Sequence, residues 1–340
     1  MGRLPTPRGD VSALLVGCLG PEVLPLPSHV PVAPADPLAD EDLQLALYVC
    51  YELHYRGFDG VHPEWEWEPT LLALRRALER IFEAALHDAV GPPGGAPAPE
   101  DFDLALRAIA DEDDAPSLSR HIERRATREQ LLEFLVHRSA YQLKEADPHS
   151  FAIPRLSGRP KAAIVEIQAD EYGGGRPDRI HAALFAKALR AVGLDDAYGA
   201  YLDHVPAPTL ATVNLMSLLG LHRARRGAAC GHLALFEMTS SIPNRRYAAG
   251  LRRLGFGDDA ADFFDEHVVA DAVHESIAAV DLAGGLASEE PELAADILWG
   301  ARALVTVEGR WARHVMKAWG RDASSLRVPA EAPAPAGSAR

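Results

Sequence analysis

The chain has 340 residues, 48% hydrophobic and 24% charged, a globular composition long enough for a sizeable core and unlike that of a disordered protein. Aspartate and glutamate number 49 against 34 lysine and arginine, giving a net charge of −15 with no compensating basic stripe, which argues against a nucleic-acid partner. Cys18, Cys50 and Cys230 form no CxxC pair and no apolar run approaches the roughly 20 residues of a membrane span, so a disulfide framework, a zinc knuckle and a membrane protein are all disfavoured and a reducing cytoplasm fits best.

In chain order, residues 1–40 carry eight prolines, from Pro5 to Pro37, and are predicted to form an extended arm over the domain rather than regular helix. Within it, Val11 to Gly20 imitates a signal peptide only loosely, with Asp10 at its edge. Residues 41–140 form an N-terminal helical region packing on the core. Its apolar stripes are Leu43, Leu47 and Cys50, then Leu71, Leu74, Leu78, Ile81 and Phe82, then Leu131, Leu135, Val136 and Tyr141, with a break at GPPGGAPAP from Gly91 to Pro99. Residues 141–325 form the core, with stripes at Ile180, Leu184, Phe185 and Leu189 and at Leu215, Leu218 and Leu219. Two long amphipathic helices, 260–284 and 290–319, close it. Ala162 to Ile167 is the only short run that could pass for a strand, and residues 326–340 read as a disordered tail. The pattern predicts an all-α protein without a sheet.

The segment Phe263 to Glu275, FFDEHVVADAVHE, carries the chemistry. On a helix, Asp271 lies about 40° from His267 and His274 about 20° to the other side, so the three share an arc of roughly 60° among valines and alanines. Two imidazoles and a carboxylate in apolar surroundings are costly to bury unpaired, and a metal ion removes that cost. Glu237 stands in an apolar helical stretch, GHLALFEMTSS, and also needs a partner. Glu171 and His181 flank the break Gly173–Gly175, which lets both face one cavity; Pro177 opens a helix that puts His181 just over one turn in. Glu166, Asp170 and Asp178 are equally plausible acids there. Carboxylates and imidazoles without thiolate suit non-haem iron or manganese better than structural zinc. A ferritin-like bundle uses two Glu-x-x-His motifs; this chain has none.

The order Glu…His…Glu…His-x-x-x-Asp-x-x-His on an all-α chain resembles the haem-oxygenase-like diiron oxidases, or iron-containing redox enzymes. The likeness runs from about Tyr141 to Glu308 through YQLKEADPHSFAIPRL, DEYGGG, VNLMSLLGLHRARRG and FEMTSSIPNRR. The resemblance implies a haem-oxygenase-like helical bundle with additional N-terminal helices, a homodimer, and two iron ions that activate dioxygen with electrons from an external donor or reductase. It implies Glu171, His181 and His274 on one iron and Glu237, His267 and Asp271 on the other, with one glutamate bridging. Some N-oxygenating members carry a further glutamate upstream, and Glu145 in LKEADPH falls in that place. The alternative for Glu145 is a cap on a helix ending near Pro148.

The activity so implied is N-oxygenation of an amine or guanidine on a small amino-acid-like substrate in specialised metabolism. The alternatives are oxidative fragmentation or desaturation of an amino or fatty acid at the same site, and a metal-binding protein without catalysis. Several other residues read as structural: Glu52 and His54, the pair Glu83 and His87 as an exposed face, His222, His232, and Trp65 with Trp67 as a loop anchor. The arginine runs Arg223–Arg226, Arg245–Arg246 and Arg252–Arg253 read as solvated faces, any one of which can clamp a substrate carboxylate.

Overall fold

Local signals in the sequence start several of the helices. The computed structural model describes residues 2–27 and 34–329, apart from the side chains of residues 271–273. Asp40 caps α2 (Glu41–Glu52) by accepting from the Leu43 N–H, and Pro69 sits in the first turn of α3 (Pro69–Val90). After α4 (Phe102–Asp111), Ser117 caps α5 (Leu118–Arg124), and Thr127 with Gln130 forms a capping box on α6 (Arg128–Gln142). The chain continues through α7 (Asp147–Ser150), α8 (Gly158–Glu171), α9 (His181–Val192), α10 (Ala207–Leu221) and α11 (Arg226–Arg253). It closes with α12 (Asp258–Ser276), a π-helical segment Ile277–Gly284, α13 (Gly285–Glu289) and α14 (Ala294–Trp319). Among the described residues no strand forms, and the one β pairing is an isolated bridge between Gly2 and Phe58. The architecture is all-α.

The structure departs from the sequence expectations at four places, and it makes helical the one short run that could pass for a strand. Asp10–Cys18 is helical (α1) inside the proline-rich arm, because no proline stands between Pro7 and Pro21 and because Val11 and Leu15 bury while Asp42 accepts from the Val11 and Ser12 N–H groups. Ala162 to Ile167 lies in α8, with Ala163, Ile164 and Ile167 buried at helical spacing. The expected long helix over 260–284 changes to π geometry at Ile277. Pro148 lies in the first turn of α7 rather than ending a helix, and α6 stops earlier, at Gln142. Of the expected tail, Leu326 is buried in the core and Arg327 donates its N–H to the His204 carbonyl, while residues 330–340 lie outside the described residues.

Two apolar clusters make the core, and α11 and α14 contribute to both. One gathers α2, α3, α6, α9, α10 and α12 around Leu47, Phe82, Phe134, Phe185 and Phe263. The other gathers α4, α8 and the π segment around Phe102, Ile164 and Leu282. Glycine lets α11 and α14 touch: a Cβ on Gly300 would stand 2.0 Å from the Ala228 carbonyl oxygen, and one on Gly231 would stand 1.8 Å from that of Ile297. Gly300→Ala is therefore expected to prise the two helices apart and cost at least about 1–3 kcal/mol, read as a lower urea midpoint at unchanged slope. A midpoint equal to that of the parent would contradict this packing.

Candidate metal centre

Four helices and one turn supply the site. Glu171 ends α8, and the chain then reverses through Gly173, Gly174 and Gly175, all with φ between +58° and +81°. Only glycine takes that path without strain, and a Cβ on Gly173 would also meet the Arg179 backbone at 2.6 Å. The reversal places His181 as the first residue of α9, not a turn into it, because Ile180 is still extended. His181 Nδ1 comes to 3.0 Å from Glu171 Oε2.

Glu145 comes from the turn after α6 and approaches His267 of α12, with Oε1 3.4 Å from Nε2. The rings of His181 and His267 lie 4.4 Å apart, centroid to centroid. His267 Nδ1 is 2.8 Å from the Phe263 carbonyl oxygen one turn back, so Nδ1 carries the proton and Nε2 offers its lone pair to the site. Glu237, on α11, lies with Oε2 3.1 Å from His274 Nδ1, while Asp170 Oδ2 is 3.0 Å from His274 Nε2.

The donor atoms fall into two groups, each with all atoms within 4.8 Å of one another: Glu145, Glu171, His181 and His267; and Glu171, Glu237 and His274. All six residues are buried, and Glu171 belongs to both groups. The grouping differs from the one the resemblance implied, since His181 pairs with His267 and His274 with Glu237. His267 and His274 share a helix face, but seven residues put them about 10 Å apart along the axis, too far to meet at one ion. Asp271 stands between them on α12, and its side chain lies outside the described residues.

A cation fits this donor set. Glu171 Oε2 and His181 Nδ1, although 3.0 Å apart, are not in hydrogen-bond geometry, and Glu145 Oε2 is buried without a hydrogen bond. Lone pairs aimed past each other are costly in a dry interior unless an ion sits between them. Burial pushes the Glu171 carboxyl up, but His181, His267 and His274 outweigh it and hold the group below the usual range. Burial raises Glu145, and His267 only partly offsets it. Burial lowers His181, whereas Glu171 more than restores it. His274, pulled down by burial, is lifted by Glu237 and then Asp170 to about 9.

A cavity of about 630 Å3 opens on these residues and is lined by Glu145, Glu171, Glu237 and His267. It reaches exposed positions at Asp111, Asp113 and Arg120. Arg138 and Glu308 face the same space, a pair that sequence reasoning missed because 170 positions separate its two members.

The remaining candidates are engaged elsewhere. Glu52 is paired with Lys144 in the core, and His54 lies between Glu66 and Arg75. Glu83 is buried against Arg76 and Arg225 instead of exposed, and His87 stacks on Trp299. His222 sits 2.9 Å from Glu79, and His232 bonds His149. Trp65 is a buried anchor donating to the Gly20 carbonyl, whereas Trp67 is exposed. Glu166 and Asp178 fall in neither donor group. Of the arginines expected to be solvated, Arg225 and Arg226 are tied to Glu83 and Glu290, and Arg252 to Asp265.

The family model described as iron-containing redox enzyme matches residues 132–309, from within α6 to within α14, more than half of the chain. No curated protein matches the chain. The matched span contains every residue of both donor groups.

Proposed function

Because the chain belongs to the iron-containing redox enzymes, we propose that it is a non-haem diiron oxygenase that N-oxygenates an amine or guanidine on a small amino-acid-like substrate. Glu145, Glu171, His181 and His267 would hold one iron, and Glu171, Glu237 and His274, with Asp271, the other. The observation that carries this reading is the presence of Glu171 in both donor groups, the arrangement a bridged pair of ions requires. Glu145 supports the N-oxygenating assignment, since the upstream glutamate of that branch would here be a donor to the first group.

Iron in these positions would supply the Lewis acidity and, with an external reductant, the electrons for dioxygen chemistry. The protein's own residues do the rest. The Phe263 carbonyl holds the His267 proton on Nδ1 and so aims Nε2, and Asp170 orients the His274 ring. The cavity beside Glu237 and Glu145 would admit the substrate and present its nitrogen to the centre. Two of the three free cysteines are buried, which supports a reducing cytoplasmic setting. Among the described residues no helix is long and apolar enough to cross a membrane. A homodimer is part of the same proposal.

The test is anaerobic ferrous loading, an oxygen pulse with a panel of amino acids, and product mass. A gain of one oxygen atom on nitrogen is expected; loss of carbon or of two hydrogens would assign fragmentation or desaturation instead.

Loading must also displace the proton that His274 keeps to about pH 9. Because this pKa is raised, its contribution to the stability of the iron-free protein is present below about pH 6.5 and is lost as pH rises through 9. Metal affinity changes in the opposite sense. Anaerobic titrations should show Mn(II) or Fe(II) binding tightening roughly tenfold per pH unit between about pH 7 and 8.5, with proton release. An affinity independent of pH would contradict ligation by His274.

A further inference from the structure

If iron fills the two donor groups, a reading on which this role depends, Tyr141 stands beside the centre with its polar group unused. It lies in the last turn of α6, 5% exposed, and lines the cavity of about 630 Å3 that opens on Glu145, Glu171 and Glu237. Phe236 of α11 packs against the ring edge to face, with centroids 5.5 Å apart, and so fixes it. Among the described residues the Tyr141 hydroxyl has no hydrogen-bond partner. Buried phenols ordinarily find one, so an unpartnered hydroxyl on a cavity wall is a donor held ready for what enters. Burial first, and then the carboxylates of Glu145, Glu171 and Glu237, push this phenol well above its ordinary value, so it stays protonated. Three other donors along the same wall are occupied. Gln168 gives its amide N–H to the Ala146 carbonyl, Thr239 its hydroxyl to that of Leu235, and Ser240 its hydroxyl to that of Glu237.

We propose that Tyr141 is a further catalytic residue, whose phenol O–H donates a hydrogen bond to the small ligand that the centre takes up from the cavity, dioxygen in turnover. Dioxygen is a poor acceptor until electrons from the external reductant reach it, and its negative charge grows as they do. A donor already in place favours the charged form over the neutral one and needs no reorganisation as the charge develops. A neutral phenol suits this position better than an ammonium or guanidinium, which would compete with the irons for the three carboxylates. The O–H bond stays intact in this role, since a hydrogen bond forms and no proton or electron leaves the tyrosine.

Azide is the probe, because it binds ferric iron, carries negative charge and accepts hydrogen bonds. The full-length protein and Tyr141→Phe, which removes only the hydroxyl, are loaded with iron, oxidised and titrated with sodium azide, with the azide-to-iron charge-transfer absorption as readout. Loss of a hydrogen bond to a charged ligand should weaken azide binding at least about 10-fold in Tyr141→Phe. Transfer to D2O should shift the vibration of bound azide in the parent and leave it unmoved in the variant. Iron affinity and unfolding midpoint should stay those of the parent. Equal azide affinity in the two proteins, a D2O shift that survives the substitution, or a parent that takes iron but no azide would overturn the proposal. Weaker iron binding or a lower unfolding midpoint in Tyr141→Phe would also overturn it, by making the phenol a support for the ligands or for the core. A parent that fails to take two irons removes the diiron reading and this role with it, and the stoichiometry measured on the same samples tells these failures apart.

Discussion

Replacing Glu171 by alanine is expected to abolish binding of both iron ions, with affinity falling by more than about 100-fold, since loss of an outer-shell partner alone costs 10–100-fold. Among the described residues, Glu171 is the one that belongs to both donor groups. Helicity should survive, because α8 is held by Ala163, Ile164 and Ile167 and Glu171 is only its last residue. Glu145→Ala gives the contrast. It removes a donor from one group and leaves Glu171, Glu237 and His274 intact, so one ion should stay tightly bound. Equilibrium dialysis against ferrous iron under nitrogen, with circular dichroism on the same samples, measures both variants. Two tightly bound ions in Glu171→Ala would mean that the carboxylate is structural.

The second large effect is on stability. Lys144 Nζ sits 2.8 Å from Glu52 Oε2, with each side chain 1% exposed, and Tyr198 donates to both Glu52 oxygens. The ammonium also lies 4.3 Å from the Tyr55 ring centre and 4.8 Å from that of Tyr48. Lys144→Met strands a buried carboxylate and should cost about 3–5 kcal/mol, whereas Lys144→Met combined with Glu52→Gln should recover most of it. Lys144 precedes Glu145, so the same pair ties the N-terminal helices to the turn that carries a candidate ligand. Urea unfolding of the single and double variants settles the point. A loss below about 1 kcal/mol in the single variant would show the pair to be as weak as a surface contact.

Much of the centre was legible because its residues break local rules. Glu237 is a carboxylate in an apolar helix, and His267 and His274 are imidazoles among valines; such residues need partners. The glycine run marked the reversal between Glu171 and His181 because only glycine accepts the required φ. What stayed hidden depends on distance across the fold. Helical periodicity put His267 and His274 on one face, and the resemblance set them on different irons but placed His181 with His274, whereas in the fold His181 meets His267. Asp170, weighed equally with other acids, is singled out only by its contact with His274. The pairs Lys144–Glu52 and Arg138–Glu308 join residues 92 and 170 positions apart, with no local pattern to announce them. Helix α1 went unread because the prolines around it dominate the composition, while the burial of Val11 and Leu15 that stabilises it is tertiary.

The central claim is that this chain holds two irons about one shared glutamate. An anaerobic titration of the metal-free protein with ferrous iron, followed by Mössbauer spectroscopy of the loaded sample, tests it most directly. The account predicts saturation at two ions per chain, with both sites showing oxygen and nitrogen ligation. Saturation at one ion per chain, with no second site at excess iron, would contradict it.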